Sequence, residues 1–139
     1  MNGSPALADR IARPDAVVAG VLSGTSGDGI DVVLARPVVT GGRLEALSAL
    51  AFSTEPFPGD LAGRVRRLLD TGGGEGTSLR QIGLLHRDLG RAFGEAVAHV
   101  AGRAGLVADL VGSRADRLAS RRSRGRSGHS PAGLSLIHI

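Results

Sequence analysis

The sequence predicts an α/β domain in which a mixed sheet is covered by helices, with element order β-β-β-α-α-β. Three observations lead there. Short β-branched runs, Val17 to Leu22 and Ile30 to Leu34, flank a small polar turn, and a third run, Leu44 to Phe52, follows Gly41-Gly42. Runs of this length bounded by glycine read as buried strands. Two later stretches place their apolar residues at helical spacing, and a last apolar run, Leu106 to Gly112, returns to strand character.

Taken in order, residues 1–13 form a leader of small residues, expected to be flexible. The first three strands are expected to be consecutive and antiparallel, the second ending near Pro37 and the third entered through the Gly41-Gly42 turn. Pro56 and Pro58 break the pattern, and a helix begins near Asp60 with the stripe Leu61, Val65, Leu68 and Leu69. Its acidic start and its basic Arg66 and Arg67 suit the helix dipole. Residues 71–77, with four glycines, read as a loop. Ser78 to Gln81 has the form of a capping box, and Leu79, Ile82, Leu85 or Leu89, Phe93, Val97 and Val100 continue a stripe to about Arg103, before Gly105. Interior Gly83, Gly90, Gly94 and Gly102 each weaken a helix by roughly 1 kcal/mol relative to Ala, so close packing against the sheet is their expected compensation.

Composition narrows the function classes. With 139 residues the chain suffices for one domain with a real core. It has no cysteine, which removes disulfides and thiolate metal sites and agrees with a reducing compartment. No run reaches the length of a membrane span, and the leader lacks the apolar core of a signal peptide, so a cytoplasmic protein without a membrane partner is expected. The net charge of +4 is uneven: residues 1–113 carry 11 Arg against 12 acids, and residues 114–139 carry 6 Arg and one Asp. A basic tail of this kind ordinarily suggests a solvated or nucleic-acid-binding segment.

The turn Ser23-Gly24-Thr25-Ser26-Gly27-Asp28-Gly29 carries the chemistry. Its glycines let main-chain N–H groups approach a phosphate, and Asp28 and Asp31 can hold a hydrated cation. It is not a Walker loop, since the chain has no lysine. Its glycine spacing is wrong for the dinucleotide fingerprint and it leads into a strand, and Asp28 stands where a hydrolase elbow needs glycine. A phosphate-binding hairpin and an ordinary hairpin remain. His86-Arg87-Asp88-Leu89 imitates a protein-kinase catalytic loop, but Phe93 stands where the metal-binding Asn should fall, so these residues read as solvated helix positions. His99 reads as a surface histidine, and no set of His and carboxylates has metal-site spacing.

The stretch from Gly20 through Ser23-Gly24-Thr25-Ser26-Gly27-Asp28-Gly29-Ile30 to Asp31 resembles the N-terminal signature of anhydro-N-acetylmuramic acid kinases. That signature reads Gly-x-Met-Ser-Gly-Thr-Ser-x-Asp-Gly-x-Asp; here Leu22 replaces Met and Gly27 fills the variable position. Leu89-Gly90, Phe93 to Ala96, and the strand Asp109 to Ser113 are similar to the family downstream. The resemblance implies the N-terminal half-domain of an actin-like, ribonuclease-H-like sugar-kinase fold. It implies ATP and Mg2+ as cofactors and an anhydro sugar as substrate, whose 1,6-anhydro ring is opened by water and whose freed O6 is phosphorylated during cell-wall sugar recycling. Carried over by position, Gly24, Thr25, Ser26, Gly27, Asp28, Gly29, Ile30 and Asp31 would hold the ATP phosphates, with Asp28 or Asp31 holding the metal through water. The family's catalytic aspartate lies further along a longer chain, so the catalytic base is unknown and residues 14–113 would be an incomplete, inactive ATPase-like domain. Another sugar kinase of the same fold is the alternative.

After Ser113 the family continues with His-Gly-Gln-Thr-Val, then Thr-Leu-Gln-Leu-Gly, and this chain does not. Arg114 to Ser120 can be encoded as CGG GCA GAC CGT CTG GCA TCA, which one nucleotide later reads Gly-Gln-Thr-Val-Trp-His. His129 to Gly133 can be CAC TCT CCA GCT GGG, and the same shift gives Thr-Leu-Gln-Leu. Leu134 to Ile139 resembles a translated transposon-type sequencing adapter, CTG TCT CTT ATA CAC ATC. Residues 114–139 are therefore expected to be a non-native, disordered tail, which removes the case for a nucleic-acid partner. The remaining alternative of a different class is a small nucleic-acid-binding module that uses this tail.

Overall fold

A computed structural model describes residues 6–23, 29–70, 76, 78–115 and 135–137. A short helix α1 (Leu7–Ile11) precedes β1 (Val18–Ser23), β2 (Ile30–Thr40) and β3 (Arg43–Glu55). Helices α2 (Leu61–Asp70) and α3 (Leu79–Ala104) follow, then β4 (Leu110–Ala115) and β5 (Ser135–Ile137). The sheet order is β3-β2-β1-β4-β5, with β1 antiparallel to β2 and parallel to β4. The expected mixed α/β architecture is present. Helix α1 falls within the stretch expected to be a flexible leader, and β5 falls within the expected disordered tail. Strand β5 joins through a backbone ladder to β4, an association that needs only an open sheet edge.

Alternation along β2 explains the core. Ile30, Val32 and Leu34 are buried on one face, with Ala19 and Val21 of β1 and Val111 of β4 beside them. Phe93, Ala96, Val97 and Val100 of α3 cover that face. A register shift between Leu34 and Ala35 lets two successive residues turn inward, as a bulge does. Asp109 clamps the other end of the sheet: its Oδ2 accepts from Val17 N at 2.9 Å and its Oδ1 from Arg13 at 2.7 Å.

Strand boundaries differ from the sequence expectation for physical reasons. Strand β2 runs past Pro37, because its pairing with β1 ends at Ala35. Beyond that point one edge of β2 has no neighbouring strand among the described residues, where a missing N–H is tolerated. Residues 36–40 therefore pair only with β3, forming a ribbon on which Val38, Leu44 and Leu47 are exposed. Strand β4 starts at Leu110 rather than Leu106, because Leu106 still closes α3 by donating to Ala101 O at 2.9 Å.

Helix α3 begins at the expected capping box, with Gln81 N donating to Ser78 Oγ at 3.2 Å and Ser78 N to Gln81 Oε1 at 2.9 Å. It ends at Gly105, whose φ of 67° is left-handed and favours glycine. Its 26 residues span roughly 39 Å, while the six of β1 span roughly 20 Å, so the first turns overhang the sheet. Leu79, expected in the apolar stripe, is accordingly 87% exposed. The interior glycines correct a second expectation. A Cβ at Gly83, Gly90, Gly94 or Gly102 would meet nothing within 4 Å, so close packing does not compensate them. Gly90→Ala is expected to stabilise the domain by about 0.5–1 kcal/mol, read as a higher thermal midpoint; a lower midpoint would contradict an open environment there.

Candidate functional site

The carboxyl ends of β1, β3 and β4 and the amino end of β2 lie at one end of the sheet, where Ser23 and Gly29 flank the glycine turn. Of the sequence-predicted site residues, Gly24, Thr25, Ser26, Gly27 and Asp28 lie outside the described residues. Gly29 enters β2, and Ile30 is a core residue, 1% exposed, directly opposite Ser23 and Glu55. Asp31 points to the other face, opposite Leu22 and Thr54. Ile30 and Asp31 thus divide between core and open face, as adjacent strand residues must.

The open face carries two rows. Nearest the turn, Thr54, Asp31, Leu22 and Arg114 stand side by side; one pleat further back are Phe52, Val33, Gly20 and Gly112. All of these except Thr54 line a shallow recess of about 450 Å³, apolar at the back and bounded by Asp31 and Arg114. Asp31 Oδ1 accepts from Thr54 Oγ1 at 2.6 Å, and Oδ2 has no hydrogen bond among the described residues. Gly29 is tightly enclosed, since a Cβ there would lie 2.7 Å from Thr54 Cγ2 and 3.0 Å from Glu55 O. A backbone held this close to β3 needs glycine.

On the opposite face, Glu55 anchors the end of β3 to α3. Its Oε1 accepts from Ser53 Oγ at 2.6 Å and from Arg103 at 2.8 Å, and its Oε2 lies 2.7 Å from His99 Nδ1. The Ser53 hydroxyl, then the His99 ring and the Arg103 charge, hold the Glu55 carboxyl below its ordinary value despite burial. His99 is exposed, as expected, yet engaged. Asp88 departs from the solvated reading more clearly. Its Oδ2 accepts from Arg64 of α2 at 2.8 Å and its Oδ1 from Arg87 at 2.9 Å, which lowers its pKa and ties the two helices.

Thr54, Glu55 and Arg103 were not singled out by sequence, because the third strand was expected to stop at Phe52. Continuing the strand to Glu55 would have put Thr54 and Glu55 on opposite faces, but Thr54 meets Asp31 only through the β2–β3 register. Among the described residues no group of three His, Asp or Glu could hold a metal by itself. One outward carboxylate with a free oxygen, as at Asp31, suits a cation that keeps most of its waters and shares phosphate oxygens.

A mixed α/β sheet with this turn at the end of its central strand is consistent with the N-terminal domain of a sugar kinase. The family model for anhydro-N-acetylmuramic acid kinase matches residues 16–115. The chain belongs to the anhydro-N-acetylmuramic acid kinase family. It is 37% identical over 92 residues to the Vibrio vulnificus (strain YJ016) anhydro-N-acetylmuramic acid kinase, covering 66% of this chain and 23% of that protein. Against the enzymes of that name from Bacillus cereus (strain AH820) and Bacillus anthracis (strain A0248), identity is 36% over 100 residues, 69% of this chain and 25% of each relative. The chain therefore spans about a quarter of the length of the curated relatives it matches.

The lowered pKa of Glu55 has a definite pH signature. The folded state favours the carboxylate, so its stabilisation is full above the ordinary value of 4.5 and is lost as pH falls through the lower folded value. The thermal midpoint of the wild type should exceed that of Glu55→Gln at neutral pH, and the gap should close below pH 4.5. A gap independent of pH would contradict the anchoring arrangement.

Proposed function

We infer that this chain supplies the phosphate-binding part of an ATP-dependent kinase acting on 1,6-anhydro-N-acetylmuramic acid. The family match over residues 16–115 carries this reading, and the outward carboxylate of Asp31 at the exit of the turn supports it. In the reaction, water oxygen bonds to the anomeric carbon while that carbon's bond to O6 breaks. O6 then bonds to the γ-phosphorus, ADP leaves, and the proton of the attacking water passes to a base. Backbone N–H groups and hydroxyls of Gly24, Thr25, Ser26, Gly27, Asp28 and Gly29 would hold the phosphate oxygens, Ile30 would fix the turn in the core, and Asp31 or Asp28 would hold Mg2+ through water. When bound, the cation neutralises phosphate charge. A cytoplasmic setting follows from the ATP requirement. Among the described residues, no helix is long and apolar enough to cross a membrane.

In this reading residues 14–113 are the kinase-derived domain, 1–13 a leader, and 114–139 a frameshifted and adapter-derived tail. Resequencing the source DNA across the Ser113 codon tests the last point, and an intact frame without adapter would refute it. The kinase reading is tested by grafting residues 16–115 into the Vibrio vulnificus relative in place of its matching residues. The graft is expected to phosphorylate the anhydro sugar with ATP, and Asp31→Ala within it to lose about 10²–10³-fold in kcat. The chain alone is expected to make no phosphorylated sugar. A folded but inactive graft would contradict the assignment, and so would full activity in a graft carrying both Asp28→Ala and Asp31→Ala.

A further inference from the structure

We propose that the open face of the sheet is the contact surface for a second copy of this chain, packed face to face about a twofold axis. The proposal is independent of the phosphate reading. Helix α3 seals only one face, while Leu22, Val33 and Phe52 on the other remain 40%, 37% and 69% exposed. Large apolar side chains gathered on one sheet face favour burial against a partner. The order of residues across the face suits a second copy. In the row nearest the turn, Asp31 of β2 and Arg114 of β4 stand on either side of Leu22 of β1. In the next row, Val33 and Gly112 stand on either side of Gly20. About β1, therefore, an acid is set against a base and a branched side chain against a glycine.

A twofold axis lying between two such sheets and running along β1 keeps each row in place and reverses the strand order. Asp31 of one copy then lies over Arg114 of the other, and Arg114 over Asp31. Val33 lies over Gly112, where the recess leaves room for it, and Leu22 meets its own counterpart. Within one copy the two charges stand two strand spacings apart, roughly 10 Å, and neither has an ion pair among the described residues. A packing that kept the strand order would set Asp31 on Asp31 and Arg114 on Arg114, so charge selects the reversed one. Aligned sheets cross at about 30°, which moves a residue one strand from the axis by roughly 2–3 Å, within the reach of an arginine. Val18 and Leu110 continue the face one pleat behind Gly20 and Gly112. Four strands by three rows give a footprint of about 400 Å² per copy, half of a standard interface. The dimer is therefore reversible, with a Kd of about 10–100 µM.

The test is sedimentation equilibrium of the full chain from about 10 to about 500 µM, without nucleotide or magnesium, with the thermal midpoint of each variant measured alongside. Wild type is expected to pass from monomer to dimer across this range. Leu22→Asp sets a charge against its own counterpart on the axis and is expected to raise Kd at least about tenfold. Leu47→Asp, paired with Pro37 on the ribbon outside the face, is expected to leave Kd within about twofold. Asp31→Arg and Arg114→Asp are each expected to weaken the dimer about fivefold, and the two together to restore it to within about twofold. Loss in the single charge variants without recovery in the pair would overturn the proposal. Association that survives Leu22→Asp would place the contact at the β3 edge and overturn it too, as would association abolished by Leu47→Asp. A chain that stays monomeric at the highest concentration would leave the face to a different polypeptide, and the proposal would fail.

Discussion

Strand β2 is paired on both sides, and that double pairing decides where Asp31 points. Ile30, Val32 and Leu34 fill the core while Asp31 and Val33 face outward, so a slip of one residue would exchange the two sets. The slip would bring three large apolar side chains into water, costing about 5–9 kcal/mol, and would also bury a carboxylate. That loss is comparable to the whole stability of a typical domain, about 5–15 kcal/mol. The register is therefore strongly specified, and the position of Asp31 beside the turn follows from core packing.

The two faces of the sheet then take different tasks. One is sealed by the second half of α3, whose small and branched residues pack on β1, β2 and β4. The other carries a shallow recess, and its polar row lies closest to the turn. Glu55 and Asp31 are both acidic and near the same end, but they differ in environment. Glu55 is buried among hydroxyl, imidazole and guanidinium partners, whereas Asp31 keeps one oxygen outward. Burial and pairing make the first a structural anchor. Accessibility makes the second the better candidate for a cation.

Much of this was legible in the residues. The β-branched alternation of β2, the capping box at Ser78 and the left-handed stop at Gly105 are local signals, and each appears where its chemistry requires. The unpredicted features depend on tertiary context. The continuation of β2 through Pro37 depends on where β1 ends, and the exposure of Leu79 depends on the length of α3 relative to the sheet. The openness around the α3 glycines depends on which helix face meets the strands. The Thr54–Asp31 and Glu55–Arg103 contacts join residues 23 and 48 positions apart, beyond the reach of any spacing rule. The motif marks the turn, and the strand register determines what stands beside its exit.

The central claim is that the exit of the turn, braced by the end of β3, meets nucleotide phosphate. Titrating Mg2+·ATP into the isotopically labelled full chain and following its amide resonances tests this most directly. Shifts are expected to concentrate at residues 22–31 and Thr54, with the 36–48 ribbon unmoved. Shifts confined to the arginine-rich residues 116–139 would mean that charge alone attracts the nucleotide, and would contradict that claim.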